Sequence, residues 1–108
     1  MPDGKRVVYV VTTADVPKDV YHSNLWLAEA DGSSDIKLTS AAAHDEDPRW
    51  SPDGGRLLFT SDRDGKSQLY VRWLDTGQTA RITDLQFGPS NPAWSPDGKM
   101  VAFISPLP

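Results

Sequence analysis

Apolar positions in this 108-residue chain fall in short runs separated by turn-forming residues, and no stretch shows a capped 3.6-residue period. Leu57-Leu58-Phe59 and Val101-Ala102-Phe103-Ile104 are continuous rather than alternating. Such runs suit strands covered on both faces, as when one sheet stacks between two others. Pro-Asp-Gly recurs at residues 2–4, 52–54 and 96–98. Proline presets φ for a turn, aspartate accepts from the backbone ahead of it, and glycine takes positive φ without a Cβ clash. Asp31-Gly32, Asp62-Arg63-Asp64-Gly65 and Asp75-Thr76-Gly77 supply further reversals. The pattern predicts many short strands and little helix.

The runs and turns also repeat. Trp50-Ser51-Pro52-Asp53-Gly54 returns as Trp94-Ser95-Pro96-Asp97-Gly98, an offset of 44, and Phe59 returns as Phe103. Leu25-Trp26-Leu27 returns as Leu69-Tyr70-Val71, Leu38-Thr39 as Ile82-Thr83, and Pro48 as Pro92, all in the same register. The first Pro-Asp-Gly lies 50 before the second, so six extra residues fall between Tyr9 and Trp26. The sequence reading makes them a longer connection, Val11 to Asn24, against Thr60 to Gln68 in the next unit. A period of 44 exceeds that of most helical solenoids and fits a four-stranded propeller blade.

The fold class expected is therefore all-β, a partial β-propeller of a little over two blades. Residues 1–40 would form strands two to four of one blade, 41–84 a complete blade, and 85–108 strands one and two of a third. In the complete blade the strands expected are Asp47–Ser51, Arg56–Ser61, Gln68–Leu74 and Ala80–Thr83. Their partners in the outer units are Arg6–Val11 and Met100–Ser105.

Composition narrows what such blades do. The formal charge of −4 leaves no clustered Lys and Arg for a phosphate backbone, so no nucleic-acid partner is expected. No apolar stretch approaches the roughly 18 residues of a membrane span, and no membrane partner is expected. Residues 1–6 carry no apolar stretch of the signal-peptide kind. The absence of Cys removes disulfides, thiolate metal sites and a thiol nucleophile. The aromatic residues recur at blade spacing rather than in a basic-aromatic stripe, so they read as packing between blades.

The recurring Trp-Ser-Pro-Asp-Gly, the strands ending in Leu-Phe or Ala-Phe, Gln68-Leu69-Tyr70-Val71 and Arg81-Ile82-Thr83 resemble the propeller repeat of TolB and of the prolyl oligopeptidase family. Within that group the chain is most similar to the acylaminoacyl-peptidase-like serine peptidases, through Pro2-Asp3-Gly4-Lys5, Val8-Tyr9-Val10, Tyr21, Leu25-Trp26-Leu27 and Phe59 to Gly65. The longer connection with Asp15 and Tyr21 favours the peptidase branch over TolB. The resemblance implies a propeller that restricts access to a Ser-Asp-His triad carried by an α/β-hydrolase domain, selecting short or N-blocked peptides. No segment of this chain matches such a domain, so no catalytic residue carries over.

Candidate chemistry is sparse. A nucleophile elbow needs Gly-x-Ser-x-Gly, and the half-matches at Gly32-Ser33-Ser34, Gly65-Lys66-Ser67 and Gly88-Pro89-Ser90 each lack the closing glycine. His44-Asp45-Glu46-Asp47 puts four hard ligands in one loop, yet a solvated connection explains them better than a metal. Asp62-Arg63-Asp64-Gly65 opens like a calcium loop but lacks its later acidic positions, so a hairpin turn is expected there. No cofactor and no metal is expected. The contact-face candidates are Tyr21, His22, His44, Asp45 and Arg63, because connections between strands two and three share one propeller face with those joining consecutive blades.

Three functions stay open. One is the non-catalytic, substrate-gating propeller of a peptidase, cytoplasmic, with the hydrolase domain of the same parent chain as partner and a peptide as substrate. The second is a TolB-like protein-interaction propeller, which would be periplasmic. The third is a fragment that completes a ring with other copies of itself.

Overall fold

The computed structural model describes residues 6–15, 20–40 and 42–105. Among the described residues, nine strands form three antiparallel sheets in chain order. The first sheet holds β1 (Arg6–Asp15), β2 (Val20–Glu29) and β3 (Asp35–Lys37). The second holds β4 (Glu46–Trp50), β5 (Arg56–Ser61), β6 (Gln68–Trp73) and β7 (Thr79–Arg81); the third pairs β8 (Ser90–Trp94) with β9 (Val101–Ile104). No helix occurs among the described residues, and none long and apolar enough to cross a membrane. The expected edges hold to within two residues at most strands. The first Pro-Asp-Gly lies outside the described residues.

The Ser-Pro-Asp-Gly turns repeat atom by atom. Ser51 Oγ donates to Asp53 Oδ1 at 2.6 Å, which also accepts from Gly55 N at 2.9 Å, while Ser51 Oγ accepts from Arg56 N at 3.0 Å. Ser95, Asp97, Lys99 and Met100 reproduce the set at 2.6, 3.0 and 3.0 Å. Gly54 and Gly98, at φ 75° and 72°, make the reversal that a Cβ would strain. The serine donates to the carboxylate, so both aspartates titrate below the usual carboxylate range.

Each inner strand also carries a repeated irregularity. Asp47 and Asn91, 44 apart, sit at φ 52° and 53° where the registers of β4–β5 and β8–β9 shift. Asp and Asn are the non-glycine residues most tolerant of that region, which accounts for the residue types at this bulge.

The sheets stack through β5. Its alternate residues point to opposite faces, and Leu57, Leu58 and Phe59 have no solvent exposure at all. Toward the first sheet, Leu57, Phe59, Tyr70 and Leu25 form one cluster, with Val8, Leu38 and Trp50 packed against it. Toward the third, Leu58, Leu69 and Val71 meet Trp94 and Val101. Every seam therefore sets the leading face of one sheet on the trailing face of the next. Arginines close the seams: Arg6 lies 5.8 Å from the Trp50 ring centroid, and Arg56 lies 4.6 Å from that of Trp94 while donating to Gly98 O at 2.7 Å.

The six extra residues are a correction to the sequence reading. Residues 11–15 and 20–24 of that connection are strand rather than loop. The β1–β2 ladder continues past Val11↔Asn24 through Thr12↔Ser23, Thr13↔His22, Ala14↔Tyr21 and Asp15↔Val20. In the second sheet the equivalent ladder stops at Ser61↔Gln68. The first hairpin thus projects four rungs further, as a two-stranded arm.

Candidate functional site

The arm, the segment joining the first two sheets and the β5–β6 turn all lie at one end of the stack, opposite the Ser-Pro-Asp-Gly turns. Residues 43–45 run alongside β2: Ser23 N donates to Ala43 O at 2.9 Å, and Asp45 N donates to Ser23 O at 2.8 Å. The small buried Ser23 lets the joining segment approach. The first sheet thus holds the segment by its backbone, and the second grips it through its side chains.

His44 turns toward the second sheet. Asp62 accepts from its backbone N–H at 2.8 Å through Oδ1 and meets imidazole Nδ1 at 2.7 Å through Oδ2. The hydrogen bond to Asp62 raises the His44 pKa above the ordinary imidazole value, with the Asp62, Glu46 and Asp45 charges adding to it against a desolvation cost. For Asp62, burial pushes upward, but the His44 N–H, imidazole and charge together outweigh it and hold the carboxyl low. The pair is half-open to solvent, with side chains 49% and 34% exposed.

Asp45 also meets the β5–β6 turn and is fully buried. Its Oδ1 accepts from Arg63 Nη2 at 3.1 Å, and its Oδ2 has no hydrogen-bond partner. Arg63 donates to Ser61 Oγ from Nε at 3.0 Å and lies 5.2 and 5.0 Å from the ring centroids of Phe59 and Tyr70. The Tyr70 hydroxyl donates to Asp64 Oδ2; burial first, then that bond, push its pKa up to about 12.

Among the sequence candidates, His44, Asp45 and Arg63 thus meet in one node, and Tyr21 sits on the arm face that continues from Leu25 and Ser23 toward the second sheet. Tyr21 is exposed, at 58%. His22 lies on the opposite face of the arm, beside Val20. Asp62 was missed as a partner because a turn aspartate 18 residues from His44 gives no sequence signal of pairing. The node is not part of the repeat: Gly88 and Pro89 stand at the positions 44 beyond His44 and Asp45. At the second seam, Gln68 instead exchanges bonds with Leu85 O and N at 2.9 and 3.0 Å.

Chemically the end presents acceptors, an imidazole and a phenol, without a paired nucleophile and base. Among the described residues, no group of three or more His, Cys, Asp or Glu is arranged to hold a metal ion. A cleft of about 620 Å³ opens at the other end of the stack, lined by Arg6, Asp53 to Arg56 and Trp73 to Asp75. The Asp53 carboxylate and the Gly55 amide already serve the turn, and Leu74 N donates to Gly55 O across it. The cleft follows from the repeat, whereas the His44 end departs from it.

Comparison with known proteins places the architecture. The family model described as the TolB beta propeller domain matches residues 1–106. The uncharacterized peptidase YuxL of Bacillus subtilis is 42% identical over 88 residues, 81% of this chain and 13% of that protein. The structure of a putative TolB from Agrobacterium tumefaciens superposes with a TM-score of 0.80 at 31% identity, over 96% of this chain and 35% of the other. An acylaminoacyl peptidase from Pyrococcus horikoshii superposes at 0.76 over 94% of this chain and 15% of its own; at 22% identity that likeness shows the fold alone. The chain spans a small part of the peptidases and about a third of the TolB structure.

Proposed function

Because the chain belongs to the TolB β-propeller domain family, we propose that it is a non-catalytic propeller segment of a serine peptidase, which limits the peptides that reach a hydrolase domain. One observation carries the reading: over four-fifths of its length the chain resembles a peptidase, at 42% identity. The His44 end is the face that would meet the hydrolase domain or the peptide. It holds the projecting arm and a charged node fixed by buried contacts, so exposed groups such as Tyr21 and His44 sit on a rigid base. In this reading the protein is cytoplasmic, and the selectivity is steric, by exclusion of long peptides.

The test is a graft of this chain into YuxL in place of the matched segment, with short and long blocked peptides compared as substrates. Tyr21→Ala and His44→Gln should change the ratio of the two rates while leaving the melting temperature of the graft unchanged above the His44 pKa. An unchanged ratio with a lowered melting temperature makes the face structural and ends the reading. The isolated chain should hydrolyse neither peptide.

The superposition on TolB at 0.80 favours a second reading, a protein-interaction propeller of the periplasm. It predicts that Tyr21→Ala weakens capture of a folded protein partner and leaves peptide selectivity in the graft untouched.

A further inference from the structure

Asp62 does more than neutralise His44: it fixes which ring nitrogen carries the proton. Its carboxyl titrates below the usual range, so near neutral pH it is ionised and can only accept. One residue engages both of its oxygens, since Oδ1 takes the His44 backbone N–H at 2.8 Å and Oδ2 lies 2.7 Å from Nδ1. Nδ1 must then hold a proton whenever the pair is made. The ring's remaining polar atom is Nε2, on a side chain 49% exposed. Its character follows the charge of the ring, a donor in the imidazolium and a bare acceptor in the neutral form. The ring also stands on a fixed backbone, because Ala43 and Asp45 on either side of His44 are bonded to Ser23 O and N of β2. Tyr21, 58% exposed, lies one same-face position beyond Ser23, the residue that His44 bridges.

The charges that face His44 are Asp62 from the β5–β6 turn and Asp45 and Glu46 from its own segment. In the same turn Arg63 is committed to Asp45 and Asp64 to Tyr70, while β2 brings the Ser23 and Tyr21 hydroxyls. Such an acidic setting repels a free carboxylate and accepts a neutral carbonyl. We propose that His44 Nε2 is a proton-switched anchor for a backbone carbonyl of an extended peptide, donating when the imidazole is protonated and losing that bond when it is neutral. This rests on the peptidase reading and deepens it, by naming what the gating face grips. The grip should tighten as pH falls through the folded His44 value, which is raised above 6.5.

Imidazole nitrogen NMR on the full chain tests the switch directly. Neutral His44 should carry its proton on Nδ1; a neutral ring protonated on Nε2 overturns the proposal, whatever becomes of the peptidase reading. The probe for the grip is a short N-acetylated, C-amidated peptide, titrated at about pH 5 and about pH 9. The chain should bind it on the order of threefold or more tighter at the lower pH. The same peptide with a free C-terminal carboxylate should bind no more tightly, and a marked gain would make this an anion site and sink the carbonyl claim. His44→Gln should bind equally at both pH values. Asp62→Ala, which lets either nitrogen hold the proton, should shrink the difference. In each variant the Ser23 and Asp45 amide signals report that segment 43–45 keeps its place. Equal binding by the parent chain at both pH values, or none, overturns the proposal. The peptidase reading fails separately, on an unchanged rate ratio in the graft.

Discussion

Asp45 has no solvent exposure, and a single guanidinium, that of Arg63, balances its carboxylate. Removing one partner of a buried ion pair leaves an uncompensated charge, which costs far more than the net worth of the pair. Arg63→Ala should therefore destabilise the fold by about 3–5 kcal/mol in urea unfolding. Arg63→Ala with Asp45→Leu should recover much of that loss; a double variant no better than the single one would show that the rings of Phe59 and Tyr70, not Asp45, are what Arg63 serves. The neighbouring His44–Asp62 pair is more exposed and contributes less, on the order of 1 kcal/mol or below. Its sign is nonetheless defined. The folded His44 pKa is raised, so its contribution is fully present below the ordinary value of 6.5 and is lost as pH rises through the folded value. The Asp62 carboxyl is held low, so its share persists above the ordinary 3.8 and is lost only as pH falls through the lower folded value. Melting temperatures of the parent chain and His44→Gln should accordingly differ most near about pH 5 and converge toward about pH 9. A gap that widens at alkaline pH contradicts this pairing.

The strand β5 and its repeat β9 show how one element pattern takes two environments. Both read as continuous apolar runs, but Leu58 is fully buried between two sheets while Ile104 is largely exposed. Leu58→Ala should cost about 2–5 kcal/mol through transfer loss and a cavity. Ile104→Ala should cost no more than about 0.5 kcal/mol, as an ordinary surface change; equal losses at the two sites would mean that the third sheet is covered in some other way. The same two strands mark what the sequence made legible. The 44-residue register identified the turn chemistry, both inner-strand positions and the Thr that closes each blade, where Leu25 N and Leu69 N donate to Thr39 and Thr83 Oγ1 at 2.9 Å. The arm was not legible, because Thr12 to Asp15 and Val20 to Ser23 carry no apolar alternation. Backbone pairing, helped by a Thr12–Ser23 hydroxyl contact at 3.3 Å, extends that ladder, and backbone pairing leaves no mark in side-chain pattern. The site was legible as a set of loops but not as pairs, since the partner of His44 came from a turn that already had a structural reason to hold aspartate.

Over the whole molecule, stability should be distributed as in a one-dimensional stack, in which each sheet depends on its neighbours. The second sheet alone is covered on both faces, and among the described residues it contributes six of the nine buried apolar residues, with contacts at both seams. The first sheet is held at one face and by the segment 43–45; the third is held at one face, by two strands. Amide hydrogen exchange reads this hierarchy directly, because protected amides open only with the unit that buries them. The amides of Leu57 to Ser61 and Leu69 to Val71 should exchange slowest, through global unfolding. Those of β9 should exchange through a smaller opening that leaves the first seam intact, and denaturant should accelerate them less steeply. The arm rungs from Thr12 to Asp15 should be the fastest of β1, since no neighbouring sheet covers them. Protection of β9 equal to that of β5 would mean that the three sheets unfold as one unit, and that two strands resting on one covered face are held as firmly as four between two.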